Sequence, residues 1–224
     1  MRVSVIIPTY QEAATIAETV RAVRAQGPCQ IIVADGGSVD GTPAAAQGAD
    51  VVLSSPRGRA AQMNAGAAHA RGDILVFLHA DCRLDPDALA DAAKLLRRPA
   101  VIAGCFRMRV DAEGILYRCL DAAATARVRL TGLIYGDQGL FLRRANFIRL
   151  GGFPPVPFLE DVLFSKTLRR AGRIVVAPAT IHVSPRRWQR VGLMRQTVRN
   201  WTLTALAASG VPPQILTRFY PAVR

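Results

Sequence analysis

The most constraining feature of this chain is a set of short, wholly apolar runs, each of which ends in a polar cluster. Val3 to Ile7 stops at Pro8-Thr9-Tyr10, and Ile31 to Ala34 stops at Asp35-Gly36-Gly37-Ser38. Ile74 to Leu78 stops at His79-Ala80-Asp81. Runs this short and continuously apolar read as strands buried on both faces. Between them lie segments with helical spacing. Glu12 to Gln26 carries Ile16, Val20 and Val23; Thr42 to Gln47 is short, and Gly58 to Ala70 is rich in small residues. Val51 to Leu53 reads as a further brief strand. Strands alternating with helices predict an α/β domain, Rossmann-like, with a mostly parallel central sheet flanked by helices. Ligands bind such sheets at the carboxyl ends of the strands, where three polar clusters converge here.

The second half is less regular. Pro86 to Leu96 is expected to be helical, with Asp85 as its N-cap. A long strand is expected over Ala100 to Val110, bent at Gly104, then a helix from Gly114 to Leu130 and a short strand from Gly139 to Leu142. Glu160 to Ala171 reads as a helix that begins with two acids, which suits the positive end of its dipole. One or two strands are expected over Arg173 to Val183, and a basic, amphipathic helical tail over Trp188 to Tyr220. The expected division is a main domain over 1–186 and a short C-terminal helical appendage over 187–224.

With 224 residues, half of them hydrophobic, the chain suffices for one substantial core. Its formal charge of +13 is almost wholly arginine, with Lys94 and Lys166 the only lysines. Such a balance favours phosphates or acidic lipids. The cations are dispersed rather than gathered in one stripe, which argues against nucleic acid as partner. Cys29, Cys82, Cys105 and Cys119 lack metal-ligand spacing and read as thiols of a reducing compartment. The N-terminus has no signal-peptide layout, and no apolar stretch reaches the ~20 residues of a spanning helix. A cytoplasmic protein is expected, with peripheral contact at the inner membrane face open to it.

Each polar cluster has a chemical and a structural reading. Asp35 can accept from a base or ribose, or its segment can be a polar strand-to-helix turn capped by Ser38 or Asp40. Asp81 can hold a divalent cation that bridges diphosphate oxygens, or cap the next helix. Asp161, beside Glu160, can act as a general base, or merely complement the helix dipole. Arg186-Arg187-Trp188 can grip phosphate and stack on a sugar, or form a basic turn. Their order and joint presence separate the alternatives.

In that order the residues resemble glycosyltransferase family 2, the inverting transferases of the GT-A fold. Ile6-Ile7-Pro8-Thr9-Tyr10-Gln11-Glu12 resembles the PxYNE opening, with glutamine for asparagine. Asp35-Gly36-Gly37-Ser38-Val39-Asp40-Gly41-Thr42 resembles the DDGSxDGT block without the first acid of its pair. Gly58 to Gly66 resembles GxxxARNxG. His79-Ala80-Asp81 stands at the DxD position, with histidine for the first acid. Leu159-Glu160-Asp161 resembles the ED motif, and Arg186-Arg187-Trp188 resembles a shortened (Q/R)xxRW element. The likeness spans about residues 2–190 and is narrower still to a small bacterial subgroup with LHAD, GDQ and RRW elements.

The resemblance implies a nucleotide-sugar donor, UDP-linked by family default, and Mg²⁺ or Mn²⁺ as cofactor. Pro8, Thr9, Tyr10 and Glu12 would line base and ribose, and Asp35, with Gly36 and Ser38, would contact base or ribose. Arg59 and Asn64 would lie near the nucleotide or phosphates. Asp81, next to Ala80, would bind metal, with His182 as a further ligand. Asp161 would be the base, oriented by Glu160. Asp137 and Gln138 would face an acceptor, lipid-linked or small, and Arg186, Arg187 and Trp188 would steady the diphosphate. With His79 in place of an acid, weaker metal affinity is expected. The competing readings are a non-catalytic nucleotide-binding or membrane-surface scaffold and a sugar nucleotidyltransferase; the latter should carry a glycine-rich basic loop where Thr9-Tyr10-Gln11-Glu12 stands. For the tail, packing on the domain or on a second subunit in a homodimer competes with a membrane role.

Overall fold

The computed structural model describes residues 1–209 and 211–216. Its centre is one eight-stranded sheet in the order β3-β2-β1-β4-β7-β6-β8-β5. The first four neighbours are β3 (Val51–Ser54), β2 (Gln30–Asp35), β1 (Val3–Thr9) and β4 (Ile74–Phe77), all parallel. Their side chains alternate between two cores. Val5, Ile7, Ile31, Val33, Ile74 and Val76 enter one apolar cluster, whereas Ile6, Ile32, Leu75 and Phe77 enter the other. Strand periodicity sends successive residues to opposite faces, so continuous apolarity means both faces are covered. Helices α1 (Ala13–Arg24), α2 (Thr42–Ala45) and α3 (Arg59–Ala68) form the connections. Each wholly buried Ile or Val contributes roughly 1.5–3 kcal/mol relative to exposure.

The other half of the sheet mixes directions. The strand β7 (Phe141–Arg143) runs antiparallel to both β4 and β6 (Val101–Val110), while β8 (Arg173–Val183) lies parallel to β6. The β8 segment is one strand. A short strand directly after His79-Ala80-Asp81, β5 (Cys82–Leu84), pairs antiparallel with β8 and was not anticipated. The segment expected as strand from Gly139 begins later, because a 3-10 turn occupies Gly136–Gln138.

Asp85 is not an N-cap. The helix α4 spans Ala88–Leu96, and Asp87 stands at its cap with φ of 61° and no side-chain bond. The Asp85 carboxylate instead accepts the Thr180 amide at 3.1 Å. Gln26 Oε1 takes over at α4, accepting the Ala88 amide at 3.1 Å.

After α5 (Ile115–Thr131) and α6 (Arg144–Arg149), the helix α7 (Glu160–Ala171) begins where expected. The tail forms α8 (Arg186–Val191), α9 (Leu193–Ala208) and α10 (Pro213–Leu216). The helix expected through Tyr220 partly lies outside the described residues. The expected boundary at 186/187 falls inside α8. Trp188 is buried in the main core, and Leu203, Ala207 and Leu216 bury against Phe158, Leu159 and Val162. All four cysteines are free; Cys119 alone among them is exposed. Among the described residues, no helix is long and apolar enough to cross a membrane.

Candidate active site

At the carboxyl ends of β1 and β4 a cavity of about 240 Å³ opens. Parallel register sets its floor: Thr9 lies opposite Asp35, and the Gly36 amide donates to the Thr9 carbonyl at 2.9 Å. Pro8, Thr9, Tyr10 and Glu12 line the cavity. The Arg57 guanidinium lies over the Tyr10 ring at 4.1 Å, a cation–π contact that fixes the ring.

Leaving β4, the chain presents His79, Ala80 and Asp81 to the cavity. The turn is pinned from outside, where Thr19 on α1 donates to the Ala80 carbonyl at 2.6 Å. Asp81 accepts Arg186 at 2.9 Å, and the same guanidinium reaches Glu12 at 3.0 Å. Burial, helped by the Arg59 charge, pushes the His79 imidazole down to about 4. Its nitrogen therefore offers a lone pair at neutral pH.

Asp161 arrives from the start of α7. Leu159 just before it has φ of 62°, an unfavoured conformation for a branched side chain. That turn buries Glu160 and aims Asp161 at the cavity. Glu160 forms an ion pair with Arg59 at 2.7 Å. Burial still raises the Glu160 carboxyl, with Arg59 opposing. Asp161 Oδ2 accepts the Gly136 amide at 2.5 Å. A Cβ at Gly136 would lie 2.7 Å from His79 Nε2 and 3.2 Å from Asp161 Oδ2, so only glycine lets these groups converge. Asp137 beside it lines the cavity; its Oδ1 is buried without a hydrogen-bond partner, and burial raises its carboxyl.

Arg59, Arg186, Arg187 and Trp188 also line the cavity. Several lining residues escaped the sequence reading. Gln62 donates to the Thr9 and Ala34 carbonyls at 2.5 and 3.0 Å and ties the ends of β1 and β2. Tyr135, Arg190, Asn200 and Thr204 complete the wall, and the Tyr135 hydroxyl bonds Thr204 at 2.7 Å.

Six expected ligand contacts are turned elsewhere. Asp35 is saturated by its own loop: Thr9 and Ser38 hydroxyls and the Gly37 and Ser38 amides all donate to it. Ser38 is spent on that carboxylate and on the Gln11 amide, and Gly36 packs on Gln62; none of the three lines the cavity. Gln138 is buried against Arg127, the Tyr135 amide and the Ala124 carbonyl. His182 does not join Asp81, because its two ring nitrogens bond Asp85 at 2.8 Å and Asp111 at 2.9 Å. Asn64 instead clamps the Phe153 amide and carbonyl, at 3.0 and 2.9 Å. Asn64→Ala is therefore expected to cost about 1–3 kcal/mol in denaturant unfolding, since it strands both backbone groups. Unchanged stability would mean that the buried Phe153 ring alone holds this loop.

Among the described residues, His79, Asp81 and Cys82 could hold a divalent cation, and their ligand atoms lie within 4.8 Å of one another. Burial drives the Cys82 thiol well above its usual range, so it stays protonated and is a poor ligand. One carboxylate and one neutral imidazole remain, which fit a divalent cation completed by ligand oxygens.

The family model described as Glycosyl transferase family 2 matches residues 4–149. Rv1514c of Mycobacterium tuberculosis, an uncharacterized glycosyltransferase, is 41% identical over 103 residues, 42% of this chain and 39% of the relative. The undecaprenyl-phosphate 4-deoxy-4-formamido-L-arabinose transferase of Erwinia tasmaniensis is 28% identical over 158 residues, 63% of this chain and 48% of the relative. The chain thus spans less than half the length of these curated relatives. Among solved structures, S. aureus TarS 1–349 in complex with UDP-GlcNAc aligns with a TM-score of 0.65 at 20% identity, covering 82% of this chain and 58% of that one. That likeness establishes the shared GT-A fold. By the extent of the family match, the chain belongs to glycosyl transferase family 2.

Proposed function

We propose that the protein transfers a glycosyl group from a UDP-sugar to an acceptor hydroxyl, with inversion at the anomeric carbon. One observation carries this reading: a carboxylate on a strained turn, Asp161, faces the same cavity as the His79 and Asp81 pair and four arginines. Base and ribose lie along Pro8, Thr9, Tyr10 and Glu12. Arg186 and Arg187 face the diphosphate. Mn²⁺ or Mg²⁺, held by Asp81 and His79, would supply charge neutralisation to the leaving diphosphate. Asp161 accepts the hydroxyl proton as the acceptor oxygen bonds the anomeric carbon and the bond to the diphosphate breaks. Attack opposite the leaving group inverts the centre. Glu160 acts through Arg59 and the turn, positioning Asp161. The name of the Erwinia relative supports a lipid-linked acceptor.

Calorimetric titration with UDP, GDP and dTDP, each with and without Mn²⁺, tests the donor half. UDP is expected to bind with the metal present, and Asp81→Ala to weaken it roughly 10–100-fold, on the scale of a perturbed metal site. If no nucleotide binds under any condition, the scaffold reading takes this one's place.

A further inference from the structure

All acidic residues of this chain lie at or before Asp161. Beyond it come Lys166 and ten arginines, with no aspartate or glutamate. This acid-free segment includes α9, whose three faces have separate tasks. Gln196, Leu203 and Ala207 are buried. Asn200 and Thr204 line the catalytic cavity. The third face carries Met194, Val198 and Trp201, which are 63%, 54% and 54% exposed. Their spacing of i, i+4 and i+7 puts them in one stripe, and exposed Arg195 stands beside its first residue.

We propose that this stripe of α9 docks on an anionic lipid bilayer, with Met194, Val198 and Trp201 entering the headgroup boundary and the arginines facing lipid phosphates. An apolar stripe edged by cations without acids is the composition of a helix that lies in a membrane interface. A tryptophan in the stripe suits the same boundary. Self-association through this face is disfavoured, because a second copy would bring the same positive charge to it. Docking in this pose sets α9 between bilayer and cavity, so Asn200 and Thr204 would meet the polar head of a lipid-linked acceptor. This last consequence rests on the proposed transferase reading; the docking itself does not.

The chain has two tryptophans, and Trp188 is buried. Both emit, but a change in emission on adding lipid therefore reports Trp201. With vesicles of phosphatidylcholine plus phosphatidylglycerol, a blue shift and quenching by acyl-brominated lipid are expected. Phosphatidylcholine alone should give neither, and added salt should weaken the effect. Trp201→Phe should abolish the spectral change while vesicle co-sedimentation persists. Arg195→Glu reverses one charge and should reduce binding roughly 20–30-fold, at about fivefold per unit of charge near an anionic surface. UDP titration of the same variant should be unaltered, which separates failure of docking from failure of the donor site. Absence of vesicle binding by the wild type would overturn the proposal. So would a Trp201 shift that follows protein concentration without lipid, because the stripe would then be a contact between copies.

Discussion

Asp161→Asn is expected to lower kcat by roughly 10²–10⁴-fold, the usual contribution of a positioned general base, while UDP binding stays unchanged. Asparagine keeps the shape and can still accept the Gly136 amide through Oδ1, so the turn after Leu159 is preserved. What is lost is the ability to take a proton. The loss belongs in kcat rather than KM, because the base acts only as the acceptor oxygen attacks. The same variant separates two acceptor chemistries. A hydroxyl must shed its proton during attack, whereas a phosphate oxygen is already ionised and needs no base. Single-turnover rates with radiolabelled donor would read the difference. Full retained activity would remove Asp161 as base and point to an ionised acceptor, leaving Asp161 to hold Gly136 in place.

The parallel half of the sheet was legible because its strands are buried on both faces and so appear as unbroken apolar runs. Ile74 to Phe77, feeding two cores by alternation, shows why. In the mixed half the strands β6, β7 and β8 were expected as well, but β5 was not, since a three-residue strand carries no period of its own and exists only because β8 offers an edge. Among cavity residues, those at strand ends or the start of α7 follow from topology. Asn200 and Thr204 had no local signal, because packing of Leu203 and Ala207 on Phe158 and Leu159 brings them there. Asp35, Asn64, Gln138 and His182 show the opposite error. A polar side chain aimed at a ligand and one that satisfies nearby backbone or a carboxylate have the same sequence signature. Only the count of its partners tells them apart, and Asp35 with four donors has none of its bonding capacity to spare in that direction.

Gly104→Ala should be the most damaging single-atom addition to the fold. The sequence suggests a bend there, and register shifts do flank it in the pairing of β6 with β8. The physical need is closer than a bend, however. A Cβ at Gly104 would stand 2.4 Å from Phe141 Cζ, 2.6 Å from its Cε2 and 2.8 Å from the Val175 carbonyl oxygen. The Phe141 ring is fully buried and has Phe106 against it, with ring centroids 5.1 Å apart, so it has nowhere to retreat. The carbonyl belongs to the neighbouring strand and cannot move without breaking the ladder. A cost near about 3 kcal/mol, the top of the usual overpacking range, is expected. For a domain of this size that lowers Tm by roughly 6–12 °C in calorimetry. Adding Phe141→Leu should recover part of the loss, since the shorter side chain vacates the space of the ring edge, and the two substitutions would then couple rather than add. A neutral Gly104→Ala would mean that the strands part readily here. If the loss is real but Phe141→Leu recovers none of it, the Val175 carbonyl is the wall that matters.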